Sequence, residues 1–478
     1  MSRFVRRTPI ATSADNLFAW HAQPGAFQRL TPPWSGVRLE SFEGIGEGER
    51  AVIRLSPGVR WIAEHHVLPE AERRAGILGF QDVQVTGPFA AWTHHHRFLP
   101  DGPGRSILED DITYRLPLAP VSKIVAGTFA RRQLARMFAY RHRVTQGDVG
   151  RHTATALEPL TVALTGASGL LGKALSAFLL TGGHRVVRLV RSRQAVTTWN
   201  RSEAEQALYW NVEQGEVDEV GLATSAPDAV IHLAGEPVYA LRWTNEKKRR
   251  IWESRTKGTQ LLSRALARLD RPPRVLLSAS GSGYYGDRGA DRITEGEPPG
   301  AGFLAEVCQA WEASTQEAED AGIRTVHLRL GPVLSPAGGL LDTLLPLFKL
   351  GLGGHVGRGD QFLPWVALDD VLYAVLHLLA GDLDGPVNLS APTPVTMRRF
   401  AKALEPVLWR PARLRAPQSL LTFLSGDLAR ETVLASSRLL PQRLVDDGFT
   451  FAYPALDTAL RHLLGATTEG SPDLPALP

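Results

Sequence analysis

The glycines Gly166-x-x-Gly169-x-x-Gly172 follow a run of β-formers, Thr161 to Thr165, and lead into a helix-forming segment, Lys173 to Leu180. Strand, tight turn and helix in that order can hold a dinucleotide. Gly166 can take the positive φ that a sharp strand-to-helix turn needs. Gly169 has no Cβ, so a pyrophosphate can approach the backbone, and Gly172 lets the new helix pack tightly on the sheet. The N–H groups of the first helical turn then face the phosphates, and the helix dipole favours their charge. Gly166, Ala167, Ser168, Gly169, Leu170, Leu171 and Gly172 are the expected phosphate-binding residues. A merely glycine-rich turn would lack the flanking strand and helix.

A second chemistry-bearing stretch is Arg191-Ser192-Arg193, at the end of an expected strand His184–Val190. NAD enzymes usually place an acid there for the ribose hydroxyls, and an acid repels a 2′-phosphate. Arginine pairs with that phosphate in a forked, charge-assisted geometry. The pattern favours NADP(H) over NAD(H); the alternative is a surface turn.

These residues need a sheet to position them. A third strand, Asp228–Leu233, ends in small residues, so Leu233, Ala234 and Gly235 can lie against a cofactor. A fourth, Arg274–Leu277, runs into Ser278-Ala-Ser-Gly-Ser-Gly-Tyr-Tyr-Gly286, and a fifth, Thr325–Leu330, into Gly331. Apolar β-rich runs separated by helical segments predict an α/β fold, a Rossmann-type doubly wound parallel sheet covered on both faces. Ligands of such sheets bind outside the carboxyl ends of the strands, where these polar clusters fall.

Thr165-Gly-x-x-Gly-x-x-Gly172, His232-Leu-Ala-Gly235, Ser278-Ala-Ser280 with Tyr284-Tyr-Gly286, and Arg329-x-Gly331 resemble an extended short-chain dehydrogenase/reductase. Arg242-Trp243, Ser254-Arg255, Phe303 to Glu312, Leu345 to Gly354 and Pro364-Trp-Val366 narrow the resemblance to its atypical NAD-dependent epimerase/dehydratase-like branch. That branch carries a small C-terminal domain of unknown function, matched by Arg410-Pro411, Pro441-x-x-Leu444 and Gly448-Phe-x-Phe-x-x-Pro454. The resemblance spans roughly residues 160–465. It implies that Arg255, Ser278 and Gly331 also bind cofactor.

The resemblance also exposes a departure. Active members pass a proton through Tyr-x-x-x-Lys, and this chain has no such pair; Phe303 and Val307 stand in its place. Neither can transfer a proton. The resemblance puts Ser280 where the hydroxyl donor lies and Tyr284 close by as a substitute donor. Each has a plainer role open to it: Ser280 as a strand-end cap, Tyr284 as packing on the cofactor. Glu306 is expected to face solvent, so Tyr284→Phe is expected to cost more activity than Glu306→Gln.

Residues 1–150 read as a separate unit. A helical stretch, Ala14–Leu30, precedes strand-like runs at Val37–Phe42, Arg50–Leu55, Trp61–Leu68, Gly76–Val85, Ala91–Leu99 and Ser106–Leu116. One long helix, Val121–Tyr140, follows, with Ile124, Phe129, Leu134, Met137 and Phe138 available for an apolar stripe. Phe80-Gln-Asp82, Gly87-Pro-Phe89, Trp92-x-His94-x-His96-x-Phe98, Asp111-x-x-Tyr114 and Phe138-x-Tyr-Arg141 resemble START-like, polyketide-cyclase (SRPBCC) domains. That resemblance implies an α+β helix-grip fold with a cavity for an apolar small molecule; an ordinary α+β domain with an aromatic core is the alternative. His94 and His96 share a strand face, and His95 points away. Without an evident carboxylate to complete a ligand set, no metal site is expected.

Thr145–Pro159 reads as a linker, 160–385 as the cofactor domain, 386–466 as a small substrate-side domain and 467–478 as a disordered tail. Gly351 to Gly359 has the composition of a lid. The 478 residues carry a net charge of +4 with no basic stripe interleaved with aromatics, so no nucleic-acid partner is expected. No stretch is long and apolar enough for a bilayer. The N-terminus shows no signal peptide, and the single Cys308 fits a reducing compartment, so a cytoplasmic location is expected. Two function classes stay open: an NADP(H)-dependent oxidoreductase or epimerase of a small, partly apolar carbonyl compound, and a cofactor-binding sensor or scaffold without turnover.

Overall fold

The computed structural model describes residues 1–117, 123–199, 204–239 and 242–466. The chain forms two compact units: Met1–Ala156 with Ala177–Gly183 and Arg461–Pro478, and Leu157–Ser176 with His184–Leu460. The tail expected to be disordered lies outside the described residues.

The first unit runs β1 (Ser2–Ile10), α1 (Ala14–Ala22), α2 (Ala26–Leu30), β2 (Arg38–Phe42), β3 (Arg50–Leu55), β4 (Val59–Val67), α3 (Glu70–Arg74), β5 (Leu78–Thr86), β6 (Ala91–Pro100), β7 (Ser106–Arg115) and α4 (Lys123–Thr155). Its strands pair antiparallel in the order β1-β7-β6-β5-β4-β3-β2. Alternation sets the faces: Trp92, His94, His96 and Phe98 of β6 are buried, and the residues between them are half-buried. The helical stretch expected as one piece breaks at Gln23-Pro24-Gly25, where proline has no N–H to continue the ladder.

Helix α4 overturns the linker expected at Thr145–Pro159. It continues to Thr155 and buries Val144, Thr145 and Val149. Its polar residues find tertiary partners: Asp148 accepts from Arg29 Nε at 2.7 Å, and His142 Nε2 lies 2.6 Å from Asp110. Of the expected stripe, Leu134 and Phe138 are buried but Phe129 is 63% exposed. The Ile124 side chain lies outside the described residues.

The second unit runs β8 (Thr161–Thr165), α5 (from Leu170), β9 (Arg185–Val190), α6 (Arg193–Trp199), β10 (Glu205–Asn211), β11 (Glu216–Val217), α7 (Glu219–Ser225), β12 (Ala229–His232), α8 (Asn245–Ala267), β13 (Val275–Gly281) and α9 (Phe303–Ala313). Strands Arg324–Leu330 and Gly385–Leu389 complete the sheet. Its order is β11-β10-β9-β8-β12-β13, then Arg324–Leu330, then Gly385–Leu389, parallel except for β11. Val162, Leu164, Val186, Val230, Ile231, Leu276 and Leu277 are fully buried, as a sheet covered on both faces requires. This is a Rossmann-like α/β fold. The chain leaves β8 toward β9 and β10, then returns to β12 on the other side. That reversal opens a crevice at the carboxyl ends of β8 and β12.

A domain border at residue 385 would cut through the sheet, because Gly385–Leu389 pairs with Arg324–Leu330. Residues 386–460 belong to the same compact unit. The run expected as a lid is tied down: Gly354 to Val356 pairs with Leu414 to Ala416. No described helix is long and apolar enough to cross a membrane.

Candidate cofactor and substrate site

Gly166 has φ +68°, and a Cβ there would lie 2.8 Å from the Leu233 carbonyl carbon. A Cβ on Gly172 would sit 2.2 Å from Gly166 O, so this glycine packs on the turn itself rather than on the sheet. A Cβ on Gly169 would meet only Gly166 O, at 3.3 Å, which leaves that side open. Helix α5 starts at Leu170, so its first N–H groups have no acceptor within the helix. Thr165 ties the loop to the neighbouring strand, its Oγ1 accepting from the N–H groups of Leu233 and Ala234 at 3.0 and 3.1 Å. His232 bridges Thr165 and Thr259, and burial pushes its pKa down to about 4, so the ring is neutral at pH 7. The cradle fits a dinucleotide.

The cradle forms one wall of a cleft of about 500 Å³. Gly166, Gly169, Leu170, Leu171, Gly172, Leu233, Arg255, Ser280 and Gly331 all line it. The buried Arg255 guanidinium donates to the carbonyls of Glu236 and Ile251 and stands 4.8 Å from the Trp311 ring centre. A Cβ on Gly331 would lie 1.7 Å from Pro364 O, so this glycine serves a close backbone crossing.

Other expected residues lie elsewhere. Ala167 is buried beneath the loop and Ser168 is exposed. Ala234 and Gly235 continue past β12 outside the lining, where a Cβ on Gly235 would touch Arg255 at 3.4 Å. Ser278 is buried within β13, its hydroxyl unpaired. Arg191 is exposed where β9 leaves the sheet, on the edge that carries the glycine loop, since Thr165 is the register partner of Leu189. Ser192 Oγ accepts from Ala195 N at the start of α6, and Arg193 is committed to Glu216 at 3.0 Å and to the Tyr209 ring.

Tyr284, expected as a substitute proton donor, stands against Arg329. It does not line the cleft; its ring is covered by the Arg329 guanidinium, whose central carbon is 3.5 Å from the ring centre. Ser280 does line it, and its hydroxyl donates to Glu312 Oε1 at 2.7 Å. Arg329 holds the same carboxylate with Nε at 2.9 Å and Nη2 at 2.8 Å. Burial opposes the Arg329 charge, but its bonds to Glu312 outweigh burial and raise its pKa. Arg329 also donates to Tyr285 Oη at 2.8 Å, and Tyr285 donates to Asn388.

Helix α9 supplies the apolar wall. Leu304, Val307, Cys308 and Trp311 follow helical spacing on the cleft side, and Glu306 is exposed. Burial pushes the Cys308 thiol up to about 11, which keeps it protonated at neutral pH. Glu431 caps α9, accepting from Phe303 N and Leu304 N at 3.1 and 2.8 Å. Glu312 was missed in the sequence, although it follows Cys308 by one helical turn and so falls beside that wall.

The fold and the cradle define an NAD(P)-binding Rossmann protein. Residues 162–389 match the family model described as the NAD dependent epimerase/dehydratase family, and residues 416–463 match a domain of unknown function, DUF1731. An epimerase family protein of Mycobacterium bovis is 39% identical over 300 residues, 63% of this chain and 96% of its own length. A solved structure from Corynebacterium glutamicum, described as a nucleoside-diphosphate sugar epimerase, is 31% identical with a TM-score of 0.77. The match covers 97% of this chain and 91% of that one. The human epimerase family protein SDR39U1, solved with NADPH, is 27% identical with a TM-score of 0.57, over 64% of this chain and 99% of that one. The chain belongs to the NAD-dependent epimerase/dehydratase family. Both family matches begin after residue 161 and so leave out the front unit, whereas the match to the Corynebacterium glutamicum structure, over 97% of this chain, reaches across it.

Proposed function

We propose that the protein is an NADP(H)-dependent oxidoreductase or epimerase acting on a small, partly apolar carbonyl compound. The observation that carries this reading is a single cleft shared by the glycine loop, the buried Ser280 and the apolar side chains of Leu304, Val307, Trp311, Phe362 and Met397. Bound nicotinamide supplies or takes the hydride. Ser280 Oγ holds the substrate oxygen, and its bond to Glu312 gives the proton a second carrier. In oxidation the substrate hydroxyl gives its proton to Ser280 as Ser280 passes its own to Glu312; reduction runs the relay backwards.

The test is NADPH oxidation against a panel of quinones, aldehydes and ketones. Ser280→Ala is expected to lower kcat by about 100-fold or more, whereas Tyr284→Phe stays close to the parent. Equal activity of Ser280→Ala and the parent would remove the relay. If the parent reduces nothing in a broad panel, the second reading replaces this one: cofactor binding without turnover, favoured by Phe303 and Val307 in place of the Tyr–Lys pair.

The preference for NADP(H) is supported by Arg191, exposed and without an ion-pair partner among the described residues, and by the NADPH in the human relative. NADPH should bind at least about tenfold tighter than NADH, the ratio given by one charge-assisted contact of about 1.4 kcal/mol. Arg191→Ala should erase that preference and leave NADH affinity alone, as read by tryptophan fluorescence titration; an unchanged preference would assign the choice elsewhere. For the front unit we propose a START-like helix-grip domain. Its support is a cavity of about 160 Å³ lined by Phe42, Ile53, Trp61, Phe80, Trp92 and Met137, which suits an apolar small molecule.

A further inference from the structure

The buried histidines of the front unit meet carboxylates that were not evident as partners in the sequence. Strand register brings them to one face: His65 of β4 lies opposite Asp82 of β5, Asp82 opposite His94 of β6, and His96 opposite Asp110 of β7. Asp110 organises the rings. Its Oδ1 lies 2.7 Å from His94 Nε2 and 2.9 Å from His96 Nδ1, and its Oδ2 lies 2.6 Å from His142 Nε2. A carboxylate only accepts, so each of those ring nitrogens carries the proton. In the neutral rings the other nitrogens, Nδ1 of His94 and Nε2 of His96, are then lone pairs. His94 Nδ1 faces Asp82 Oδ1 at 3.3 Å, and that oxygen is buried without a hydrogen-bond donor. Two acceptors facing each other in a buried site repel unless a proton on the ring or a metal cation lies between them. Donors about 2.1 Å from a tetrahedral metal are themselves about 3.4 Å apart, close to the 3.3 Å between His94 Nδ1 and Asp82 Oδ1.

We propose that Asp82, His94 and His96 bind one divalent transition-metal ion, Zn²⁺ or Fe²⁺ in class, with Asp110 as the outer carboxylate that fixes both rings. Their ligand atoms lie within 4.8 Å of one another. Two imidazoles and one carboxylate suit either ion and leave coordination positions open. A carboxylate behind each metal-binding imidazole is the usual means of fixing its tautomer. The open positions face the cavity of the front unit, whose wall includes all three ligands. His65 stands at the same wall, 5% exposed, with a buried Nδ1 that has no hydrogen-bond partner; it is a further nitrogen within the shell or for a metal-bound water. The site lies outside the cofactor cleft and does not depend on the reaction proposed there.

The experiment strips the full chain with a chelator, reloads it with Zn²⁺ or, anaerobically, with Fe²⁺, and counts metal per chain by mass spectrometry after gel filtration. About one ion per chain is expected for at least one of the two metals, and the two arms decide which. Asp82→Asn and His96→Gln should each reduce retention to background. Asp110→Asn, which removes only the outer carboxylate charge, should weaken affinity about 10–100-fold. Circular dichroism and NADPH affinity report folding in each variant. If His96→Gln does not fold, Asp82→Asn, at the more exposed edge of the cluster, decides the matter. Fewer than about 0.1 ions per chain for both metals, or retention unchanged in a folded Asp82→Asn protein, would overturn the proposal.

Discussion

Glu312→Gln should lower the unfolding free energy of the protein by about 3 kcal/mol, because it leaves the Arg329 guanidinium buried without a counter-charge. The pair has little water to fall back on: the Arg329 side chain is 4% exposed and that of Glu312 12%. Screening therefore does little to soften the loss. The variant keeps an amide oxygen in place, so shape is nearly conserved and charge is what changes. For a unit of about 300 residues the loss corresponds to a melting point lower by about 5 °C. The effect should reach further than the pair, since Arg329 also holds Tyr285 Oη and covers the Tyr284 ring. Removing both charges together, as in Glu312→Leu with Arg329→Met, should recover much of the loss, because the desolvation cost of the ion pair disappears with it. A single variant that melts with the parent would mean that water reaches Arg329. If Ser280 works through Glu312, Glu312→Gln should also lose activity with unchanged NADPH affinity, which separates the relay from the fold.

What the sequence disclosed follows from how local each feature is. The glycine loop was legible because its strand, turn and helix are adjacent in the chain, and the backbone demands of Gly166 and Gly172 act within a few residues. The runs Arg50–Leu55 and Ala91–Leu99 were legible because turn residues bound them and alternation marks their faces. Strand β1 was not, since no apolar alternation marks Ser2–Ile10; only the β7 register reveals that Asp111 and Glu109 receive Arg3 and Arg7. The second half of α4 was missed for a related reason. Asp148 looks like a linker residue, and His142 follows the expected end of the helix at Tyr140, until Arg29 and Asp110, distant in sequence, are set beside them. The surroundings of Ser280 were hidden in the same way. Tyr284 is near Ser280 in the chain, but the residue near it in space comes from α9, and Arg329 from another strand covers the tyrosine. Tertiary register decides such pairings, and periodicity alone carries no information on them.

Gly172→Ala and Gly169→Ala should both cost NADPH affinity, but only the first should destabilise the protein without cofactor. At Gly172 the added methyl would sit 2.2 Å from Gly166 O and 2.8 Å from Ala167 Cα, both rigid backbone atoms. Either the loop or α5 must move, an overpacking cost of about 1–3 kcal/mol. A displaced loop also misplaces the N–H groups that face the pyrophosphate, so affinity should fall by at least about 100-fold, or about 2.7 kcal/mol. At Gly169 the methyl would meet only Gly166 O at 3.3 Å, and φ lies outside the positive range. The fold should tolerate it, and the melting point without cofactor should stay near that of the parent. The methyl instead projects from the open side of the loop, toward the space a pyrophosphate needs, and affinity falls through that clash alone. Thermal melts with and without NADPH read both effects at once. Gly172→Ala should lower the baseline and lose the NADPH-induced rise; Gly169→Ala should keep the baseline and lose the rise. A Gly169→Ala protein that binds NADPH as the parent does would mean that the pyrophosphate does not pass over this loop, and the cradle would have to be assigned elsewhere along the carboxyl edge of the sheet.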